Sequence, residues 1–225
     1  MRITHGFRLD KLNLRMKRFL KKYSLIIYLI QLIKRIAHKL NFYKNLKKSR
    51  EIKIVVGSAG IYESGWIPTY MDMLNVLKRS DWNNYFRPGS IDAILAEYVW
   101  EHLSMEEGII AAKNCYHFLK KDGYLRVTVP YGFHPDPSYV DYVKINGTGP
   151  GSEDHKVLYT YKTFSKIFTQ AGFKLELLEY FDENGQFRFI NWDPDNGLIH
   201  RSKRFDTRNK NGNLNYTSII LDAIK

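Results

Sequence analysis

Cysteine is almost missing from the 225 residues, since Cys115 is the single one. One cysteine excludes an intramolecular disulfide framework and a thiolate metal cluster, and it predicts a reducing, cytoplasmic compartment. The chain also lacks a long apolar run, because the most apolar stretch, residues 25–33, is well short of the ~20 residues that a membrane span needs. No secretory signal is expected, since no small-residue cleavage site follows that stretch.

Acidic residues are scarce at the N-terminus. Residues 1–53 contain 16 Lys and Arg but only two acidic residues, Asp10 and Glu51, whereas the remainder contains 19 Lys and Arg and 21 acidic residues. This distribution predicts a basic helical arm (residues 1–50) followed by a near-neutral globular domain (residues 51–225). The arm is typical of contact with anionic surfaces, and the neutral domain disfavours nucleic acid as a substrate.

The spacing of apolar residues in the arm predicts an amphipathic helix. Apolar residues recur alternately four and three positions apart, with Lys and Arg elsewhere around the helix. They are Leu12, Met16, Phe19, Tyr23, Ile26, Ile30, Ile33, Ala37 and Leu40. Such a helix can lie on an acidic membrane surface. The same heptad spacing also fits packing on the domain or self-association as a coiled coil. Nucleic-acid binding is the least favoured function of the arm, since no recognition motif accompanies its positive charge.

Beyond residue 51, strand and helix patterns alternate. Predicted strands cover residues 52–56, 91–96, 124–129, 173–181 and 216–223, and predicted helices cover 104–119 and 161–171. Thr160 is suited to cap the second helix and Gly172 to end it, while Gly123 is expected in a left-handed turn after the first. This order predicts an α/β fold with a mostly parallel sheet, and the two closing strands suit an antiparallel hairpin at its edge.

A turn of small residues follows the first predicted strand. Gly57-Ser58-Ala59-Gly60 lets the backbone approach a ligand closely. Open α/β sheets bind ligands beyond the carboxyl ends of their strands. The turn alone is a weak indication of a binding site.

Two longer phrases carry a family resemblance. They are Ser-Ile-Asp-Ala-Ile-Leu-Ala-Glu-Tyr-Val-Trp-Glu-His-Leu (residues 90–103) and Phe-Leu-Lys-Lys-Asp-Gly-Tyr-Leu-Arg-Val-Thr-Val-Pro (residues 118–130). Together they resemble the type 11 class of S-adenosylmethionine-dependent methyltransferases. Gly65-Trp66 is similar to a phrase of the bacterial branch found among surface-polysaccharide genes. The resemblance implies a Rossmann-like fold, S-adenosylmethionine as cofactor and methyl transfer.

The resemblance also implies roles for individual residues. The turn would face the methionine and ribose parts of the cofactor, an acid after the second strand would bind the ribose, and the end of the fourth strand would line the methionine pocket. The matching positions are Gly57, Ser58, Ala59, Tyr70, Asp72, Glu97 and Tyr98. Ala59 replaces a usual glycine, and Tyr70 occupies the position of the acid, with Asp72 two residues later as a substitute. Glu101 and His102 belong to the same signature.

Candidate acceptor residues follow the fifth strand of the family pattern. His134 and Asp136 are suited to bind sugar hydroxyls, and Tyr131 or Tyr139 offers a stacking face. His155, in a glycine-rich segment expected to act as a lid, suits a general base. Among His134, Asp136, Asp154 and His155 no compact ligand spacing occurs, so no metal is expected.

The leading hypothesis is methyl transfer to an oxygen, with nitrogen as second choice, of a small or glycan-like acceptor. A general base and correct alignment suffice for this reaction. The alternative is a non-catalytic module of the same fold, tethered to a membrane or a partner protein. A cytoplasmic protein, peripheral at the inner membrane face, fits both. His200, Arg201 and Arg204 either border the mouth of the active site or lie in a solvated loop.

Overall fold

A computed structural model describes residues 14–58, 60, 62–209 and 212–225. The described residues divide into two compact units, with the boundary between Tyr43 and Lys44. The helices are α1 (Leu14–Lys48), α2 (Arg79–Asn83), α3 (Met105–Phe118), α4 (Pro137–Val143) and α5 (Tyr161–Gln170). The strands are β1 (Lys53–Val55), β2 (Ile67–Pro68), β3 (Ile91–Glu97), β4 (Leu119–Val129), β5 (Lys174–Phe181), β6 (Phe187–Phe189) and β7 (Ile219–Ile224).

Helix α1 confirms the predicted N-terminal helix, but its middle is apolar on more than one face. Successive large side chains from Leu25 to Ile30 are all exposed. Because consecutive helical residues point in different directions, this exposure surrounds the helix instead of forming a single stripe. Leu12, the first member of the predicted stripe, lies outside the described residues. Within the described part of the chain, no helix is both long and apolar enough to cross a membrane.

The second unit contains a seven-stranded sheet in the order β2-β1-β3-β4-β7-β5-β6. Strands β2, β1, β3 and β4 run parallel. Strand β7 is antiparallel to both of its neighbours, β4 and β5, and β6 pairs antiparallel with β5. Parallel strands linked through helices, with an antiparallel edge, make this a Rossmann-like α/β fold, as the sequence predicts.

Local sequence signals explain where the helices begin and end. Ser104 and Glu107 form a reciprocal capping box that starts α3, and Thr160 with Thr163 does the same for α5. Gly172, with φ of 102°, ends α5. Helix α3 packs against α5 and β4.

Two predicted details differ from the structure. The left-handed residue after α3 is Asp122, with φ of 63°, not Gly123. Gly123 is required for another reason: a Cβ there would lie 2.9 Å from the Asp92 carbonyl oxygen. The two closing strands pair antiparallel as predicted (β5 with β7), but the hairpin at the sheet edge joins β5 to β6 through a tip at residues 182–186. Strand β7 pairs with β5 but lies inside the sheet.

Candidate functional site

A cleft of about 670 Å³ opens beyond the carboxyl ends of β1 and β3. We refer to it as the main cleft. Its size falls within the range of small-molecule sites. The lining combines the turn after β1 (Gly57 and Ser58, the β1 turn), the end of β3, and two distant segments within residues 150–155 and 198–208. The lining residues are Val55, Val56, Gly57, Ser58, Tyr62, Glu63, Leu95, Glu97, Tyr98, Glu101, His102, Pro150, Gly151, His155, Leu198, His200, Arg201, Phe205, Asp206, Thr207 and Arg208.

The β1 turn forms one wall. Gly57 has φ of +63°, a backbone conformation that favours glycine, and a Cβ there would lie 2.9 Å from Val99 Cγ2. The Ser58 N–H donates to the Thr69 carbonyl, and the Thr69 hydroxyl donates to the Val55 carbonyl. The turn is therefore fixed to the residue that follows β2. Ala59 lies outside the described residues.

Glu97, at the end of β3, holds a distant loop over the main cleft. Its carboxylate accepts the backbone N–H of Arg201 at 2.9 Å and that of His200 at 3.2 Å. The Arg201 guanidinium lies 3.4 Å from the same carboxylate. Residues 198–208, which we call the cover loop, are thereby positioned by a side chain about a hundred positions earlier in the chain.

Tyr98 has a strained backbone at the next position. Its φ of 58° is uncommon for a residue other than glycine. The Tyr98 N–H donates to the Thr128 carbonyl, its phenol oxygen lies 2.9 Å from Ser218 Oγ, and the Arg201 guanidinium lies 4.1 Å from its ring centre. Burial raises the pKa of the Tyr98 phenol well above its usual value, so this side chain stays neutral and contributes a ring face to the cleft.

Glu101 lies in a short 3₁₀ turn, Trp100–His102, after β3. Only 1% of the residue is exposed, yet neither carboxylate oxygen has a hydrogen-bond partner. Burial raises the pKa of Glu101 to about 8. Its backbone carbonyl accepts N–H groups from Lys156 and Val157, and this contact brings the segment that carries His155 to the same place.

His155 and His102 face one another across the floor of the cleft, with ring centres 5.0 Å apart. The Nδ1 of His155 lies 2.8 Å from the Val143 carbonyl, and burial lowers its pKa. The glycine-rich segment before it folds tightly on itself: the Ser152 hydroxyl is within hydrogen-bond distance of the Gly147 and Gly149 carbonyls. His155 is therefore a neutral, positioned imidazole at neutral pH.

Five residues expected separately from the sequence meet in the main cleft: Gly57, Ser58, Glu97, Tyr98 and His155. Tyr70 and Asp72 are not among its lining residues. The Tyr70 carbonyl accepts N–H groups from Met73 and Leu74 in a turn, and Asp72 is exposed. Strand β2 ends at Pro68, so Thr69 is the residue that meets the β1 turn.

The predicted acceptor residues also lie away from the main cleft lining. His134 stacks on Tyr139 at 3.9 Å between ring centres, and both are buried. The Tyr139 hydroxyl donates to the Thr217 carbonyl. Asp136 caps α4 by accepting the Ser138 N–H. These three side chains therefore have structural partners in the fold.

One part of the site, Glu63, is missed by sequence reasoning. Glu63 lines the cleft from the loop between β1 and β2, where its carboxylate lies 3.8 Å from His200 Nε2. For the cover loop the sequence leaves two alternatives open, a border of the active-site mouth or a solvated loop. His200 and Arg201 do line the cleft, whereas Arg204 is not in that lining. The sequence signal for this loop is the density of basic residues between positions 200 and 208.

No protein-family model matches the chain, and no curated protein matches its sequence. Solved structures similar to it include an S-adenosylmethionine-dependent methyltransferase from Archaeoglobus fulgidus (15% identity, 87% of this chain, 94% of that chain, TM-score 0.46). Another is an S-adenosylmethionine-dependent methyltransferase from Methanosarcina mazei (12% identity, 71% of this chain, 67% of that chain, TM-score 0.42). A third is phosphoethanolamine N-methyltransferase 2 from Haemonchus contortus, in complex with S-adenosyl-L-methionine (13% identity, 81% of this chain, 52% of that chain, TM-score 0.41). None of these structures assigns a role to a residue of the present chain.

Proposed function

We propose that the protein is an S-adenosylmethionine-dependent methyltransferase whose active site is the main cleft. The observation that carries this proposal is the meeting of the Gly57 turn, Glu97, Tyr98 and His155 in a single cavity at the carboxyl edge of the sheet. That edge is where open α/β sheets bind their ligands. The resemblance of residues 90–103 and 118–130 to methyltransferase phrases supports the same function.

The charges of the cleft suit the proposed cofactor. Bound there, S-adenosylmethionine would supply an electrophilic methyl group on a sulfonium ion. Glu97 places a carboxylate in the lining that would attract a cation, and Arg201 and Arg208 place guanidinium groups for an amino-acid carboxylate. Glu63, 48% exposed at its side chain, offers the ribose-binding acid that Tyr70 and Asp72 do not bring to the cleft.

His155 is the proposed proton acceptor. The carbonyl of Val143 can only accept, so Nδ1 carries the hydrogen and Nε2 carries the lone pair. A neutral imidazole can remove the proton of an acceptor hydroxyl as the oxygen attacks the methyl group, or that of a nitrogen as second choice. With His134 and Tyr139 in the interior, the acceptor is placed beside Gly151 and His155. A small or glycan-like acceptor, and a role in polysaccharide biosynthesis, rest on the resemblance alone.

Isothermal titration calorimetry tests the cofactor. The full chain is titrated with S-adenosylmethionine and S-adenosylhomocysteine, and a 1:1 heat is expected. Glu63→Gln should weaken binding, whereas Glu183→Gln, at the distant hairpin tip, should not. No heat and no thermal shift at saturating ligand would refute the enzyme assignment. His155→Gln should then lower the turnover rate while leaving the affinity for S-adenosylhomocysteine unchanged.

A second candidate is a non-catalytic module of the same fold. It is favoured by Thr69, which occupies the place after β2 where an acid is expected and whose hydroxyl is already bonded to Val55. The calorimetry separates the two functions, because a module that has lost the cofactor gives no heat with either ligand.

We further propose that α1 contacts an acidic membrane surface. Its exposed apolar side chains can insert between lipids, while its lysines and arginines meet anionic headgroups. Full-length protein should sediment with acidic vesicles more than with neutral ones, and Leu29→Ser with Ile33→Ser should abolish this. Self-association through α1 is the competing outcome, recognised by a concentration-dependent mass in sedimentation and no vesicle binding.

A further inference from the structure

The Glu101 carboxylate is a buried acid without a partner. It is 1% exposed, and both oxygens lack a hydrogen-bond partner. Buried polar groups in native proteins are nearly always paired, and an orphaned one requires an explanation such as a ligand or an ion. The neighbouring Arg201 does not supply the pairing, since its guanidinium lies against Glu97. Glu101 is one of the residues that line the main cleft.

Two histidines lie beside this carboxylate, and their hydrogen bonds fix the nitrogen that each can offer. The Nδ1 of His155 lies 2.8 Å from the Val143 carbonyl, and the Nδ1 of His102 lies 3.3 Å from the Asp154 carbonyl. A carbonyl only accepts, so each neutral ring carries its hydrogen on Nδ1 and keeps its lone pair on Nε2. Metal-binding histidines commonly have this outer bond to a backbone carbonyl.

We propose that Glu101, His102 and His155 bind a divalent transition-metal ion of the zinc type. One oxygen or nitrogen from each residue lies within 4.8 Å of the others. Tetrahedral ligands about 2.1 Å from zinc are about 3.4 Å apart, so modest side-chain rotations bring the three atoms into range. Two imidazoles and one carboxylate favour zinc and its neighbours over magnesium or calcium, which prefer oxygen ligands.

The cluster offers three protein ligands, the number found in zinc sites that keep a position open. Because the residues line the main cleft, the open position would face it and could take water or the oxygen of an acceptor. A bound ion would occupy the lone pair of His155, and it would itself favour the ionised form of an acceptor hydroxyl. The ion would then replace His155 as the group that activates the acceptor.

Calorimetry with zinc chloride on the full chain, pre-treated with a chelator and then desalted, tests the site without any cofactor. One equivalent of zinc should bind. Cobalt(II) should give visible absorption bands that zinc abolishes. Glu101→Gln and His155→Gln should each weaken binding by more than about 100-fold, since loss of even an outer-shell partner costs roughly 10–100-fold. His117→Gln, a histidine of α3 outside the cluster, is the matched control and should bind zinc like the wild type.

Zinc binding that is absent, or unchanged in both ligand variants, would overturn the proposal. Glutamine keeps the size of Glu101, and circular dichroism of each variant verifies that it is folded. If His102→Gln alone retains full affinity, the three-ligand geometry is wrong. The metal site can be tested independently of the proposed methyl transfer. Zinc binding without cofactor binding would support the metal site and refute the enzyme assignment. Cofactor binding without zinc binding would support the enzyme assignment and refute the metal site.

Discussion

Replacement of Glu97 by glutamine tests how the main cleft is closed. The carboxylate accepts the N–H groups of His200 and Arg201 and lies 3.4 Å from the Arg201 guanidinium. Glutamine has nearly the same shape but a single acceptor oxygen, and its NH₂ group can only donate. One backbone N–H therefore keeps a neutral bond, and the other faces a donor. The cover loop therefore loses its hydrogen bonds to a charged carboxylate, while the strands of the sheet are unchanged.

The size of the effect follows from the bonds that are lost. A hydrogen bond to a charged group contributes about 1.5–3 kcal/mol, and a neutral one about 1 kcal/mol. Losing one charged bond and weakening the other costs about 3 kcal/mol in the closed state of the cover loop. At 1.4 kcal/mol per tenfold, this is roughly a 100-fold increase in loop opening. Ligand affinity falls by no more than the same factor, because only the closed fraction is competent.

Hydrogen exchange at the amides of His200 and Arg201, followed by NMR, measures the opening directly. Exchange should accelerate about 100-fold in Glu97→Gln, in line with a loss of about 3 kcal/mol. Glu63→Gln is the matched control in the same cleft, since its carboxylate makes only a 3.8 Å contact with His200 Nε2. The reasoning is refuted if exchange at these two amides changes less than about threefold, or if the control accelerates it equally.

Three further changes have defined outcomes. Arg126→Met leaves the buried Asp222 without its bidentate partner and should cost about 3–5 kcal/mol in urea unfolding; the double variant with Asp222→Leu should recover most of that loss, and a double variant as unstable as the single one would contradict this. Gly57→Ala and Gly185→Ala, with φ of 63° and 71°, should each lose about 1–2 kcal/mol of stability, but only the first should weaken binding of S-adenosylhomocysteine. Hydrogen bonding to the lysine of α5 lowers the pKa of Glu183 from 4.5 to about 2, so its stabilisation is complete above pH 4.5 and lost as pH falls through 2. The melting temperature of Glu183→Gln should be lower than that of the wild type at pH 7, and this difference should shrink as pH falls from 4.5 through 2.

The helices and strands of the second unit could be predicted because their signals are local. The boundaries of α3 and α5 follow from capping residues three positions apart. Strand β3 follows from a mostly apolar run, interrupted by Asp92, in which five of seven residues are buried. Strands β2 and β6 were missed because two or three residues give no usable periodicity. Their place is set by pairing with β1 and β5.

The cleft could be predicted only in part, because its far wall depends on contacts between distant residues. Gly57 and Glu97 were found at strand ends, where topology alone brings them together. No local pattern states that Glu97 accepts the amides of residues 200 and 201. The same limit applies to Tyr139: a tyrosine in a loop after β4 looks available, but its hydroxyl is bonded to the Thr217 carbonyl just before β7.

Glu97 and Glu101 lie four positions apart beyond the same strand, yet only one is satisfied by the protein. Glu97 has two backbone donors and a guanidinium, which explains its place as an anchor. Glu101 has no hydrogen-bond partner and is buried, an arrangement that costs stability and that an apolar residue of similar size would relieve. This cost is consistent with a binding site in which a metal ion is the missing partner of Glu101. The two neighbouring imidazoles, His102 and His155, already have their lone pairs oriented by hydrogen bonds to backbone carbonyls.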